Sequence, residues 1–479
     1  MKHNGRKSSG QVFTPDYIVC NILDYCGYRG AHVIGRHIID NSCGNGAFLC
    51  EIVRRYCEAC AADGTSADGT RAGLERYIHG MDSDAEAVNA CIGNLNRTAE
   101  RFGVLGVDWD VRNENALKTT EYSGKMDFVV GNPPYVRVHN LEESYDDVKR
   151  FSFGCGGMTD LYLAFYEVGF GMLASGGKLC YITPSSWLNS VAAANMRKYI
   201  VAQKNLVSLV DLGHFQPFDK VSTYTLIALF AKGGGADEIE YYAYDERTRD
   251  RKFVSRLSYA DIYIDGCFYL SERDALRSLH DIMSRHAECR ARVKNGFATL
   301  ADDVFINDAI PDSPFTITAF KASNGKSHKC FFPYDVNGKP IAETVLFSHA
   351  GIAEYMESRR DEILKGRRAA PGWYLYGRSQ ALSDVNKRKI AMNTIVKDKS
   401  SIRIREVPAG CGIYSGLYIL TDESVETITS ILVSDEFMEY VSSLKKYKSG
   451  GYYTFGSKDV EKYINYKLAH ENERRKRIA

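Results

Sequence analysis

The sequence predicts an α/β fold, a seven-stranded sheet with helices on both faces, followed by a second domain of mixed α+β type. Three observations carry this. From His37 to about Ala231, short β-rich runs alternate with amphipathic stretches, the pattern of a parallel sheet covered by helices. One junction, Asn41-Ser-Cys-Gly-Asn-Gly46, is a strand running into a two-glycine turn and then a helix. Past Gly233-Gly-Gly235 the alternation stops, and scattered β-like runs, aromatics and basic residues take over with no 20–50 residue repeat. A chain of 479 residues also exceeds what one core organises. The boundary is expected within residues 233–256, giving domains 1–245 and 246–479.

Seven runs have strand character: His37–Asn41, Tyr77–Asp82, Val107–Val111, Met126–Val130, Lys178–Thr183, Leu206–Asp211 and Tyr224–Phe230. Helical patterns fill most gaps between them, and Ala61–Thr70 reads as a surface loop. Hydrophobic residues (44%) and charged residues (25%) sit near globular averages, which excludes a disordered or fibrous chain. No run of about 18 apolar residues could span a bilayer, and the polar, basic start lacks an apolar signal core, so the expected location is the cytoplasm. The 13 cysteines suit free thiols in a reducing compartment, and the lone pair Cys57 and Cys60 has no second pair at zinc-site spacing, so no metal site is expected. A net charge of +1 decides nothing about nucleic acid, because such an enzyme needs a basic face and not a basic total.

The chemistry concentrates where strands end. Gly44 and Gly46 permit positive φ and remove the Cβ atoms that would block a nucleoside or amino-acid moiety, while the helix that starts there offers unpaired N–H groups. Asp82, at the carboxyl end of the second strand, can accept both hydroxyls of a ribose. Asp84 suits the N-cap of the helix that follows. After the third strand, Asn115 or Glu114 could hydrogen-bond an adenine edge, or simply close a polar turn. Asn132-Pro-Pro-Tyr135 then follows the apolar strand Met126–Val130 at the same sheet edge. An adenine amino nitrogen is a poor nucleophile because its lone pair is delocalised into the ring. Acceptors on both N–H bonds draw that pair out, and the Asn132 side-chain oxygen and Pro133 carbonyl can supply them, with Pro134 stiffening the loop and Tyr135 offering a face for stacking. No strong base is needed if the proton leaves after methyl transfer, so catalysis here is positioning and hydrogen bonding.

In their order and spacing these motifs resemble the gamma-class N6-adenine DNA methyltransferases of bacterial restriction-modification and related systems. Gln11-Val-Phe-Thr-Pro-Asp16 looks like the family's leading motif, Asp40–Gly46 like its glycine-rich one, Asp82 and Asn115 like its ribose and adenine contacts, and Asn132–Tyr135 matches its catalytic loop. The resemblance runs from residue 11 to about 231. It implies a Rossmann-like methyltransferase sheet, S-adenosyl-L-methionine as cofactor and a C-terminal target-recognition domain. It also implies cofactor contacts from Phe13, Thr14, Pro15, Asp40, Ser42, Cys43, Gly44, Gly46, Asp82, Asn115 and Asn132. Catalytic roles fall to Asn132, Pro133, Pro134, Tyr135 and an aromatic opposite the flipped base, Phe218 in preference to Phe215. Asn115 stands where the family has Asp, and Asn41 where proline is common.

The implied activity is site-specific adenine-N6 methylation of a base flipped out of duplex DNA. The alternative is an enzyme acting on RNA base amino groups or protein glutamine, which shares the Asn-Pro-Pro-Tyr loop. A purely DNA-binding subunit would not need an intact cofactor loop, and a nicotinamide oxidoreductase would want a GxGxxG turn, which is absent. Double-stranded DNA is the expected partner, bound by a monomer associated with the bacterial nucleoid through that DNA, either in a restriction-modification system with a separate cognate restriction endonuclease or in a solitary epigenetic system, and no membrane is expected. Arg290–Phe297, Tyr376–Gln380, Asn386–Lys389, Lys397–Lys399, Lys445–Lys448 and Arg474–Arg477 mix basic, aromatic and amide residues suited to DNA, and Tyr447–Phe455 adds glycines beside aromatics or forms a β-hairpin turn.

Overall fold

The computed structural model describes residues 13–137, 145–155, 159–218, 223–284, 288–365 and 372–478, of which 471–478 as backbone alone. Gln11, Val12, Asp219, Lys220 and the side chains of Arg474–Arg477 lie outside the described residues. Two compact units divide between Arg277 and Ser278. The expected boundary at 245/246 falls earlier than this because the sheet of the first unit continues through it.

That sheet has nine strands where seven were expected: β1 (Ile38–Asp40), β2 (Ile78–Asp82), β3 (Asp110–Asn113), β4 (Met126–Gly131), β5 (Leu173–Pro184), β6 (Leu206–Asp211), β7 (Thr225–Ala231), β8 (Glu238–Asp245) and β9 (Asp250–Ser258). Their order is β3-β2-β1-β4-β5-β7-β6-β8-β9. The five strands from β3 to β5 run parallel, and β7 lies antiparallel between β5 and β6. Gly233–Gly235 is a turn inside the sheet and not a linker; Ser208 to Asp211 of β6 pair in parallel with Glu240 to Ala243 of β8. The two added strands were hidden by their charge. Most of their residues are exposed or half-buried, β9 being the edge of the sheet and β8 its neighbour, so they lack the apolar run that marks the interior strands.

The helices are α1 (Asp16–Cys26), α2 (Ala47–Asp63), α3 (Ala67–Tyr77), α4 (Ala85–Glu100), α5 (Tyr145–Lys149) and α6 (Leu161–Met172), with others following. They cover both faces. Val130, Cys180 and Ile182 share a core with α1, α2 and α4, while on the other face Leu179 and Tyr181 lie against Gly169 of α6, where a Cβ would fall 2.5 Å from Leu179 Cδ1. The stretch Ala61–Thr70, expected as a loop, is mostly helical. Gly64, at φ +75, ends α2, and Ser66 starts α3 by accepting Gly69 N–H at 3.2 Å, so a short Gly-Thr-Ser joint replaces the loop. Asp84 caps α4 as expected, accepting from Glu86 N and Ala87 N.

At the N-terminal ends of these strands lies a polar chain. His37 Nδ1 is 2.9 Å from His79 Nε2, His79 Nδ1 is 2.7 Å from Asp110 Oδ2, and Tyr122 and Arg112 also donate to the Asp110 carboxylate. Burial opposes the charge on Asp110, but the donors from His79, Arg112 and Tyr122 hold its carboxyl well below the usual range. Burial and the neighbouring His79 push the imidazole of His37 down.

The second unit, Ser278–Ala479, is built on small sheets. The largest takes the order Ala291–Asn295, Leu417–Thr421, Lys389–Met392, Ile404–Val407. A three-stranded sheet joins Ser327–Phe331, Thr316–Lys321 and Gly412–Tyr414 over a core that includes Phe305, Phe331 and Tyr376. Tyr447–Lys448 and Tyr452–Thr454 pair antiparallel around Gly450 and Gly451, both at positive φ, so Tyr447–Phe455 contains the hairpin that its glycines allow. The unit is mixed α and β, as expected.

Candidate active site

The parallel register brings the C-terminal ends of β1, β2, β3 and β4 to one edge, because Asp40 pairs with Gly80 and Val130 while Asp82 pairs with Asn113. Asp40, 1% exposed, accepts Ser42 N–H at 3.0 Å. Burial pushes its carboxyl up to about 7 against that hydrogen bond, with the charge of Asp82 adding to the rise. Gly131, at φ +150, lies directly above it, and a Cβ there would fall 2.7 Å from Asp40 Oδ1.

The glycine turn hangs on β2. Cys43 N–H donates to the Met81 carbonyl at 2.9 Å, and Gly44 N–H donates to Asp82 Oδ2 at 2.9 Å. The other Asp82 oxygen accepts Asp84 N–H at 3.0 Å. A carboxylate has about four lone-pair directions, so both Asp82 oxygens keep capacity for the two hydroxyls of a ribose. Gly46, at φ +92, opens α2 with its Cα against α4, where a Cβ would strike Cys91 Sγ at 2.7 Å. A Cβ at Gly44, φ +51, would meet no protein atom within 4 Å, so this side of the turn is open.

Asn115 is tied into its own turn. Its Oδ1 accepts Leu117 N–H at 2.9 Å, closing a turn, which leaves the side-chain NH2 as the group free for a ligand. Glu114 is exposed, and its backbone N–H donates to the Asp82 carbonyl.

The leading segment and the Asn-Pro-Pro-Tyr loop meet. Pro15 carries α1 on its carbonyl, which accepts Ile18 N–H and Val19 N–H, and Thr14, 8% exposed, accepts Asn132 Nδ2–H at 3.1 Å through Oγ1. That contact fixes the Asn132 amide and leaves Oδ1 buried without a partner; Ser42 Oγ is a second buried orphan at this edge. Phe13 is 70% exposed. Pro133 is buried and Pro134 half-buried. The Tyr135 hydroxyl donates to the Ile182 carbonyl at 3.1 Å, and burial raises its pKa well above the ordinary value. Its ring meets Phe218 edge-on, centroids 6.1 Å apart, and Tyr162 at 6.5 Å. Phe215 instead stacks on Tyr244 at 5.1 Å, so of the two candidates Phe218 is the one beside the loop.

The sequence reading missed Gly131, Tyr162 and the role of Asn41. Asn41 Oδ1 accepts the Tyr181 hydroxyl at 2.8 Å, a buried brace from β5 to the glycine turn. Gly131 carried a signal, a glycine between an apolar strand and the loop; Tyr162 sits in a helix apolar on all sides and carried none. Among the described residues no group of three or more His, Cys, Asp or Glu side chains could hold a metal ion.

Residues 77–218 match the family described as Eco57I restriction-modification methylase. The type II methyltransferase M.PaeR7I of Pseudomonas aeruginosa is 26% identical over 412 residues, covering 77% of this chain and 71% of that protein. The type II restriction enzyme and methyltransferase RM.Eco57I of Escherichia coli is 23% identical, over 79% of this chain and 48% of its own length. Of solved structures, the type IIL restriction-modification enzyme MmeI in complex with DNA aligns over 92% of this chain and 63% of its own with a TM-score of 0.59 and 12% identity. The nuclease-deleted type ISP enzyme LlaGI aligns over 97% and 55%, also at 0.59 and 12% identity. These likenesses bear out the resemblance to gamma-class DNA methyltransferases, and S-adenosylmethionine is the cofactor. The residues fit it: the open side of Gly44, the uncommitted lone pairs of Asp82 and the unpartnered Ser42 Oγ are the groups an aminoacyl nucleoside would need.

Proposed function

We propose that this chain methylates the N6 amino group of a specific adenine in duplex DNA, as the modification enzyme of a restriction system with a separate cognate endonuclease, working as a monomer on DNA. The observation that carries the reading is the Asn132 side chain. Thr14 takes one of its N–H bonds, and its Oδ1 is left buried with no partner, a cost tolerated where a ligand supplies the donor. An exocyclic amino group is such a donor.

S-adenosylmethionine supplies an electrophilic methyl group on a sulfonium. The chain's own residues do the rest. Asp82 and the Gly44 turn would hold the cofactor's nucleoside, and Thr14, which bonds to Asn132, would with Phe13 and Pro15 hold its amino-acid end. Asn132 Oδ1 and the Pro133 carbonyl accept the two N–H bonds of the target amino group, which draws its lone pair out of the ring. Tyr135 and Phe218 provide aromatic surface for a base that has left the helix, offsetting the few kcal/mol that flipping costs. Adenine is the base proposed because the order and spacing of the motifs around Asn132–Tyr135 resemble those of the N6-adenine enzymes.

The test is transfer of labelled methyl groups from S-adenosylmethionine to duplex DNA, followed by base-resolved mapping. N6-methyladenine at one recurring sequence is expected. N4-methylcytosine would overturn the choice of base, and label on RNA or protein but not on DNA would overturn the substrate.

A further inference from the structure

The second unit gathers three of the basic, amide-bearing segments, bringing Arg290–Phe297 onto Tyr376–Gln380 and Asn386–Lys389 through side-chain hydrogen bonds that span 84 and 90 residues of chain. On the strand Ala291–Asn295, Ala291 and Val293 are buried while Arg292 and Lys294 face out. Lys294 Nζ donates to Asp384 Oδ2 at 2.6 Å, Lys387 Nζ to Asp384 Oδ1 at 2.8 Å, and the Tyr418 hydroxyl to Oδ2 at 2.8 Å. Asp384 is 1% exposed, so one buried carboxylate fixes two lysines whose side chains remain about half exposed. Two ammonium groups on one carboxylate leave a net positive charge held in place. The Gln380 side chain donates to the Gly296 carbonyl, joining the segment Tyr376–Gln380 to the same strand end.

Backbone strain marks this spot. Leu300, at φ +60, and Ala381, at φ +67, are two of seven non-glycine residues at positive φ among the described residues, and they border the segment that holds Arg378. A branched side chain rarely adopts this conformation unless the surroundings impose it, and such strain clusters at functional sites. Here Gly377 N–H donates to the Thr299 carbonyl at 2.9 Å, and Leu300 lies over Gly377, where a Cβ would fall 2.4 Å from Leu300 Cδ1. Leu300 is nevertheless 63% exposed. Arg378 beside it is exposed, and no acidic group among the described residues holds it.

We propose that Lys294, Leu300, Arg378 and Lys387 form a duplex-DNA contact surface, in which Arg378 and Leu300 meet base edges and the two lysines, positioned by Asp384, neutralise phosphates. The chemistry fits each part. Arginine reads a base edge through two parallel hydrogen bonds, an exposed aliphatic packs on a base or wedges a step, and lysine serves phosphate as a point charge. Burial and the charged partner at Asp384 agree with this: its lysine and tyrosine donors hold its carboxyl at about 2 against the effect of burial, so the anchor stays charged. The proposal rests on the reading of the chain as a DNA methyltransferase.

The experiment uses the full chain, the duplex that mapping identifies, and a single-stranded RNA of equal length. R378A should weaken duplex binding at least tenfold, with S-adenosylmethionine affinity unchanged. L300G should weaken it at least threefold with a melting temperature equal to or above wild type, since glycine accepts the positive φ; a structural role would lower it. K387Q should reduce the slope of log affinity against log salt by about one, the loss of one phosphate contact. A wild type that methylates DNA while all three variants bind it normally overturns the surface and leaves the activity standing. Variants that lose RNA binding and keep duplex binding also overturn it. A wild type that methylates no DNA overturns the underlying reading and the surface with it.

Discussion

The parallel strands of the sheet are built differently at their two ends. At the N-terminal ends, His37, His79 and Asp110 join Tyr122 and Arg112 in a chain of short hydrogen bonds, and Arg112 passes on to Glu121. At the C-terminal ends, Asp40 is buried with its carboxyl pushed up to about 7, and Ser42 Oγ and Asn132 Oδ1 are buried without partners. Asp40 and Asp110 are both aspartates at ends of the parallel strands, yet burial wins at one and hydrogen bonding at the other. Folding alone favours satisfied polar groups, so the satisfied end matches a structural role, and the unsatisfied end is the one that the proposed function fills with ligands.

The largest test of that contrast is Asn132→Ala. Removing the orphan acceptor should lower methyl transfer roughly a thousandfold, about 4 kcal/mol of barrier, while cofactor affinity measured by calorimetry changes little. Lost cofactor binding with it would mean that Asn132 serves the cofactor and not the target base. Next is the pH dependence of Asp40. Its folded pKa, about 7, lies above the unfolded value near 3.9, so its contribution to stability is fully present below about pH 4 and is lost as pH rises through 7. Asp40→Asn should therefore gain on wild type across this window, by up to about 4 kcal/mol, in denaturant melts of the cofactor-free protein. Equal slopes for the two proteins would show that Asp40 is not the strained group.

At the other end the sign reverses. Asp110 is held below its ordinary pKa, so its contribution is present at neutral pH and is lost as pH falls below about 4. Asp110→Asn should cost about 2–3 kcal/mol at pH 7, because His79, Arg112 and Tyr122 then face a neutral partner. Cofactor affinity should not follow. A variant that loses the cofactor while keeping its melting temperature would make the two ends one functional unit.

How far the sequence led follows from the same contrast. The glycine turn, Asp82 and the Asn-Pro-Pro-Tyr loop were legible because each is a short contiguous segment whose backbone demands, positive φ at Gly44 and Gly46 or a stiff loop at Pro133 and Pro134, appear as residue types. Strands β1, β2 and β4 to β7 were legible because their interiors are apolar, whereas the polar edge strand β3 (Asp110–Asn113) overlaps its expected run Val107–Val111 only at Asp110 and Val111. Strands β8 and β9 were not, since these charged strands at the end of the sheet, β9 its edge, lack that mark. Nor was the Asp384 cluster, whose lysines are assembled from residues 294 and 387 by tertiary pairing that no local pattern records. Asn115 was half legible: the position could be read, but its oxygen is committed to Leu117 N–H, which only the turn reveals.

The smallest expected effect probes whether the loop is held or merely stacked. Tyr135 donates its hydroxyl to the Ile182 carbonyl at 3.1 Å, across the loop to β5, and this is a hydrogen bond between neutral partners inside the protein. Tyr135→Phe keeps the ring and its edge-on contact with Phe218. It should cost about 1 kcal/mol of stability and leave the transfer rate within about fivefold of wild type, since RT ln 5 is about 1 kcal/mol. Tyr135→Ala, which removes the stacking surface as well, should lose about 1–3 kcal/mol more of base affinity. A Phe variant as impaired as Ala in single-turnover transfer would show that the hydroxyl, and with it the anchor on β5, positions the Asn132 acceptor, and would move Tyr135 from the satisfied side of the contrast to the strained one.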